Sequence, residues 1–516
     1  MSTELGSRQA TPMPPALNAR ELARWGWRQL TSMRTALVLL FLLAVAAIPG
    51  SVIPQSDVDA LKTNNWQLAH PTLTPIYEKL QLFSVYDSVW FSAIYLLLMI
   101  SLVGCILPRT AVYWRGLRAR PPAAPRNLTR LPDSLSYSTS DSPEAVLERA
   151  AVVLSDRRYR VETGDDWVAA EKGYLREAGN LLFHVSVLIV LAGFAIGSLF
   201  GYKGGVIVLV HGGFSNNLTQ YDDFAPGSLF NADSMEPFSF DVDDFDVEWL
   251  QSGPRQGMAR KFVSHLSYQE TPTSPVETYD LKVNHPLTIG GTELFLIGHG
   301  YAPVITVKDG QGHVAFSGPV VFLPRDQSFL SFGVVKAPDA KPKQIGLEGL
   351  FFPTYVNING DPTTIMGDDL NPTISLQAYV GDLGLDDGAP QSVYELRKNN
   401  LKLLKKANGK MFRVDLQPGQ TIKLPGGAGS VSFEGVERWN KIQISRTPAK
   451  WLALLGVCMA LIGLLGSLYI RPRRIWVRAR RDGDGTLVEV AGLDRSGGDD
   501  TMGHLTSIKN ALEETS

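Results

Sequence analysis

The chain has 516 residues, with 49 Lys and Arg balanced by 51 Asp and Glu, and no nucleic-acid partner is expected of so neutral a composition. Cys105 and Cys458 are its two cysteines, too few for a disulfide framework, and no Cys-x-x-Cys-His is present, so the chain is neither a c-type cytochrome nor itself a thiol oxidoreductase. A hydrophobic share of 44% and a mean hydropathy of -0.00 hide four long apolar runs, which make it an integral membrane α-helical protein rather than a soluble one.

Residues 1–34 read as a cytoplasmic N-terminal segment whose first ~19 residues are expected to be poorly ordered. Residues 35–53 are the first transmembrane helix. Pro49 and Gly50 near its exit are tolerated because neighbouring helices satisfy the freed backbone groups. Ala44-Val45-Ala46 resembles a cleavage site, but the leader before it is too long for a signal peptide, so this helix is read as retained. An outer loop at 54–87 leads to the second transmembrane helix at 88–107.

Residues 108–179 are a cytoplasmic loop or small domain. It opens on a Pro-rich basic linker at 120–126; Ser142-Pro143-Glu144 then predicts a helix to Leu154, with short strands at 159–161 and 167–170. The third transmembrane helix occupies 180–200. Residues 201–447 form a large extracytoplasmic β-rich domain between the third and fourth helices. The fourth helix runs over 450–470, and 471–516 is a cytoplasmic tail, basic and then disordered. Arginines cluster at 20–34, 109–130 and 471–481, whereas the loop between the first two spans has Lys62 and Lys79 alone. That bias places both termini inside.

Within the large insert, Phe238, Phe240 and Val242 alternate with polar residues and Phe245, Val247 and Trp249 resume the alternation one residue out of phase. A bulge at Asp243-Asp244 accounts for the slip. Further strands are predicted at 261–268, 277–283, 292–297, 304–307, 314–322, 374–380 and 430–433, with turns at Gly290-Gly291, Asp309-Gly310 and Pro425-Gly426-Gly427. Segment 392–406 has helical potential. The choice between sandwich and barrel stays open.

No Gly-x-Ser-x-Gly, His-Glu-x-x-His or phosphate-loop pattern occurs, and no catalytic residue is assigned. His184 is different: an ionisable ring inside an apolar span marks a pathway or a ligand site, the alternative being a hydrogen bond to interfacial lipid or a neighbouring helix. His211, His265, His285, His299 and His313 are spread without ligand spacing and read as ordinary strand or loop residues. Asp241, Asp243, Asp244, Asp246 and Glu248 read as a solvated strand face. Gly193, Gly197 and Gly201 make two Gly-x-x-x-Gly steps suited to helix packing, with Gly456, Ala460 and Gly463 as the matching surface on the fourth span. His184 lies nine residues before Gly193 and so points to another side.

Several motifs in this order resemble the ResB family of the system II cytochrome c biogenesis machinery, in an actinobacterial-like form. They are Ser32-Met-Arg-Thr-Ala36 with Ile48-Pro-Gly-Ser-Val-Ile-Pro-Gln55, Tyr86-Asp-Ser-Val-Trp-Phe91 with Val103-Gly-Cys105, Glu171-Lys-Gly173 with Gly179-Asn-Leu-Leu-Phe-His184, and Leu454-Leu-Gly456 through Gly463. The resemblance implies a bacterial plasma-membrane assembly factor that, with a ResC-type haem-handling partner, exports haem and presents it to apocytochrome c. It implies a component of a cytochrome c haem-lyase complex rather than an enzyme by itself. A thioredoxin-like thiol reductase and its membrane electron donor are implied as further partners. Haem b is the implied, transiently bound cofactor, with His184 as candidate axial ligand to its iron. The alternatives are a membrane-anchored structural or interaction protein, or an accessory subunit of a non-haem transporter. Before the fourth span the family pattern of lysine, aspartate, proline and glycine is broken here, as Ser445-Arg446-Thr447-Pro448-Ala449-Lys450.

Overall fold

The computed structural model describes residues 18–56, 58, 60–250, 252–253, 255–385, 388, 391–494 and 501–514, so the expectation of poor order for 1–17 lies outside them. Two compact units result: one from the chain up to Ala195 together with Ala449 onward, the other Ile196–Pro448.

The first unit begins with a helix not anticipated in the N-terminal segment, α1 (Ala19–Leu30), opened by a hydrogen bond from the Asn18 N–H to Glu21 at 3.0 Å. Its Leu22, Trp25 and Trp27 are exposed, as suits a helix lying at a membrane surface. α2 (Met33–Val52) starts at Ser32, whose hydroxyl accepts the Thr35 N–H. α3 (Ala60–Ala69) and α4 (Thr74–Lys79) connect it to α5 (Val89–Arg118), which continues eleven residues past the expected end at 107. Arg115 and Arg118 in its last turn complement the helix dipole. Next come α6 (Pro143–Asp156), α7 (Arg176–Phe200), α8 (Lys450–Tyr469) and α9 (Thr501–Glu513). α2, α5, α7 and α8 are long and apolar enough to cross a membrane, and they expose large apolar side chains such as Phe41, Leu96, Phe194 and Ile462. Such surfaces are stable against lipid tails.

The motifs behind the family resemblance are joints between these helices. A Cβ on Gly50 would meet the Tyr86 ring at 2.9 Å, and one on Gly104 the Thr31 side chain. The Cys105 thiol donates to the Thr31 carbonyl at 2.9 Å, and Gln55, nearly buried, accepts from the Val85 N–H at 2.9 Å while donating to the Leu82 carbonyl. Gly173 takes φ +76°, and a Cβ there would lie 2.0 Å from the Arg471 carbonyl. Ala449, at the position where the family pattern has glycine, adopts φ +62°, a left-handed backbone that glycine takes at less cost.

The disorder expected in the later part of 471–516 is overturned within the described residues. Strands Arg473–Asp482 and Gly485–Asp494 form a hairpin that completes an antiparallel five-stranded sheet, in the order Asp133–Thr139, Gly485–Asp494, Arg473–Asp482, Trp167–Lys172, Arg160–Thr163. α6 and α9 cover one face, burying Leu154, Val168, Val477, Val490, Leu505 and Ile508; Leu128 and Trp476 pack on the other. Most arginines of the 471–481 cluster are absorbed here. Arg474 and Arg160 both bind Glu171 at 2.9 Å, Arg473 binds Asp494 at 3.0 Å, and Arg480 binds Asp166 at 2.9 Å. Burial alone would raise the Glu171 carboxyl, but hydrogen bonds from the two arginines outweigh it and hold it below the usual carboxylate range.

The second unit is a β-sandwich of two lobes along one spine. Its spine is a pair of eighteen-residue antiparallel strands, Thr292–Asp309 and Gly429–Arg446, each longer than the fragments expected at 292–297, 304–307 and 430–433. A four-stranded sheet built on Ser239–Trp249 and Ala259–Gln269 covers one half of the spine, enclosing Phe238, Phe240, Leu266, Leu294 and Ile442. A six-stranded sheet built on Ser331–Ala337, Gln344–Phe352 and Thr373–Gly381 covers the other, enclosing Ile305, Phe351, Ile374 and Phe433. The register slips between Val242 and Asp244, where the bulge was expected, and the acidic residues of that strand are exposed on its solvent side. Segment 392–406 is not helical; it runs through turns into a short strand, Leu401–Leu403, that pairs with Thr373–Gly381. Its leucines are spaced too unevenly to bury one helical face.

Candidate functional site

His184 lies eight residues into α7, in the first unit. Its Nδ1 is 2.8 Å from the carbonyl oxygen of Asn180, one turn earlier. A carbonyl can only accept, so Nδ1 carries the hydrogen, and in the neutral ring Nε2 is the nitrogen with a free lone pair. The ring also meets Phe183 edge to face at 5.5 Å. An imidazole held through Nδ1 by a main-chain carbonyl is the arrangement metal-ligating histidines adopt, because it fixes the tautomer and raises the basicity of the other nitrogen.

Two neighbours define which side of α7 the ring occupies. Toward α8, small residues allow main chains to approach: a Cβ on Gly179 would lie 2.6 Å from the Ser467 nitrogen, on Gly193 2.9 Å from the Ala453 nitrogen, and on Gly456 3.0 Å from the Ser186 carbonyl. Gly463 faces the Phe183 nitrogen, and Ala460 is half-buried on the same helix. Gly197 and Gly201 face Thr447 and Arg446, past the end of that contact. Toward α5, the Tyr95 hydroxyl donates to the Leu191 carbonyl. Leu191 is seven residues, about two turns, beyond His184 and lies on nearly the same side. The imidazole therefore belongs to the α5 side of α7 and is half-buried there. Gly179 is a packing residue that the Gly-x-x-x-Gly pattern did not reach; the signal for it was its place in Gly179-Asn-Leu-Leu-Phe-His184.

Among the described residues no group of three His, Cys, Asp or Glu side chains is placed to hold a metal ion, so His184 offers a single ligand. In the second unit, His265 sits between Asp246 (3.1 Å) and Asp280 (2.8 Å), and these hydrogen bonds raise its pKa, chiefly that to Asp246. His299 is a strand histidine, as expected, but a deeply buried one. It is 6% exposed, enclosed by Phe245, Trp249, Phe262 and Phe329, and stacked on Phe329 at 4.5 Å. Burial, with a smaller contribution from the Arg438 charge, pushes its pKa down to about 3.

That burial predicts an acid-labile insert. Between the unfolded value near 6.5 and about 3, the unfolded chain binds a proton that the folded one refuses, so stability is complete above pH 6.5 and falls as pH drops. The expected loss from pH 6.5 to 4.5 is about 2–3 kcal/mol, at about 1.4 kcal/mol per pH unit. Thermal unfolding of the full chain followed by tryptophan fluorescence should show this slope, and His299→Phe should flatten it; an equal slope in both proteins refutes the assignment.

The family comparison extends across both units. Residues 33–504 match the model of the ResB-like family, from the start of α2 into α9. The chain is 31% identical over 294 residues to the cytochrome c biogenesis protein CcsB of Synechococcus sp. (strain CC9902), covering 55% of this chain and 62% of that protein. It is 28% identical over 293 residues to the CcsB of Synechococcus sp. (strain CC9311), covering 55% and 61%, and 27% identical over 286 residues to that of Thermosynechococcus vestitus, covering 53% and 60%. Each alignment thus spans about three-fifths of the relative's length. The family model, by contrast, takes in all four apolar helices, the β insert and the hairpin that completes the five-stranded sheet, and on that match the chain belongs to the ResB-like family.

Proposed function

We propose that this chain is a cytochrome c assembly factor that handles haem in the bacterial plasma membrane, together with a ResC-type partner, for covalent attachment to apocytochrome c on the outer face. His184 carries the reading: one imidazole in an apolar helix, its Nδ1 engaged by the Asn180 carbonyl and its Nε2 available to iron. The relatives are named as cytochrome c biogenesis proteins, which supports it. In this reading α2, α5, α7 and α8 span the bilayer with both termini in the cytoplasm and the β insert outside. The arginines before α2 and following α5 and α8 support that orientation. His184 then lies toward the cytoplasmic leaflet, where haem made inside the cell arrives, and the second axial ligand comes from the partner. Haem is cargo, and this chain's residues bind and orient it. Reduced apocytochrome thiols come from a thioredoxin-like protein.

The visible absorption spectrum of the detergent-purified chain with its ResC-type partner tests this, comparing native protein with His184→Ala. A Soret band lost or shifted in the variant is the expected result. An unchanged band removes His184 from the haem site, and no band in either sample overturns the haem reading.

A further inference from the structure

A second histidine of the first unit is fixed by the same device as His184. His70 directly follows α3, in the connection between α2 and α5, and its Nδ1 is 2.9 Å from the carbonyl of Trp66, four residues earlier. As at His184, the carbonyl requires the hydrogen on Nδ1 and, in the neutral ring, leaves the lone pair on Nε2. The plane of the ring is set as well: it stacks on Trp66 with centroids 4.4 Å apart and planes 22° from parallel. Trp66 is itself held by stacking on Tyr77 at 4.9 Å and by the edge of Phe83 at 5.3 Å. The Thr74 hydroxyl, 3.0 Å from the His70 carbonyl, pins the turn that follows. His70 is exposed, so a bulky planar ligand can reach it.

Its place in the bundle separates it from His184. The connection carrying His70 joins the end of α2 to the beginning of α5, and Tyr95 near that beginning meets Leu191 in the second half of α7. His184 sits in the first half, with sixteen residues, about 24 Å of helix, between it and the end of α7. One iron cannot take both rings.

We infer that His70 is a second iron-ligating imidazole for haem, at the end of the helix bundle opposite His184, with the half-buried Trp66 and Tyr77 rings as its apolar surroundings and the buried Phe83 bracing them. This rests on the haem-handling reading. It makes the chain a carrier with a ligand at each end, so haem leaving His184 has an acceptor on the same polypeptide. A structural reading also exists, in which His70 only caps the last turn of α3, and the test separates the two.

The full chain in nanodiscs is titrated with iron(III) protoporphyrin IX and followed by the Soret band and by electron paramagnetic resonance. Four proteins are compared: wild type, His184→Ala, and His184→Ala combined with His70→Ala or with His70→Asn. Asparagine can still donate to the Trp66 carbonyl but is a poor iron ligand, so it keeps the cap and removes the coordination. His184→Ala is expected to retain an imidazole-ligated spectrum, both double variants to bind the porphyrin at least tenfold more weakly, and added imidazole to restore the ligated spectrum in the His70→Ala double variant. Double variants that bind like His184→Ala overturn the proposal and leave His70 a cap. Wild type that binds no porphyrin overturns the haem reading itself.

Discussion

A chain ending before Arg473 is expected to lose the fold of residues 128–172 altogether, although it keeps all four apolar helices. The strand Arg473–Asp482 is the middle of the five-stranded sheet, pairing with Gly485–Asp494 on one side and with Trp167–Lys172 on the other. Removing it exposes Leu154 and Val168, which are fully buried, and leaves the Glu171 carboxylate without Arg474. What remains, a two-stranded hairpin and one helix, is too small to hold a core in water. Limited trypsin digestion of membranes should cut the truncated chain rapidly between Arg126 and Arg176, where the full chain resists. The single substitution Val477→Asp, a carboxylate placed at a fully buried position, is expected to cost on the order of 4 kcal/mol and to give the same digestion pattern. Equal protection in the truncated and full chains refutes the shared domain.

The second large effect is expected at Gly463. A Cβ at this position would lie 2.6 Å from the Phe183 nitrogen and 2.8 Å from the Gly179 carbonyl, and one at Gly179 would reciprocally meet the Ser467 nitrogen at 2.6 Å and the Gly463 carbonyl at 2.8 Å. Those obstacles are main-chain atoms of helices, which cannot rotate away as a side-chain tip can. Gly463→Leu must therefore push α8 off α7, at a cost of at least about 1–3 kcal/mol. Phe183 is also the neighbour of His184, so the displaced helix should move the imidazole, and haem binding should weaken with stability. Leu461→Phe is the control, since that side chain is exposed on the outer side of the same helix. The thermal midpoint in detergent should fall for Gly463→Leu and hold for Leu461→Phe; equal midpoints refute the close contact.

The four apolar helices and the α6 start at Ser142-Pro143 were legible because both depend on nearby residues alone: a run of apolar side chains, or a hydroxyl within reach of the next turn. The phase slip at Asp243-Asp244 was legible for the same reason, since alternation along one strand records which face is buried. His184 stood out in sequence by its apolar surroundings. Its orientation did not, because the side of α7 it takes depends on where α5 and α8 sit.

The C-terminal tail is the instructive failure. Ile475, Val477 and Ala479, then Asp482-Gly483-Asp484-Gly485, then Val488 and Val490 carry a hairpin signal of alternation around an Asp-Gly turn. In sequence that signal is masked by six arginines beside an apolar run. His70 is hidden in the sequence for another reason: there it is a polar residue in a short loop, and its ring is set by Trp66, itself braced by Tyr77 and Phe83. The sequence by itself thus determined which segments are apolar enough to leave water and which residues could start or end them. Tertiary structure alone decided that Glu171 should meet Arg474 across some three hundred residues, that the fragments near 292–307 and 430–433 should lengthen into one paired spine, and which side of α7 carries His184 toward α5. Burial and hydrogen bonding to distant strands and helices are energies of the assembled fold, and they leave no periodicity in the chain that makes them.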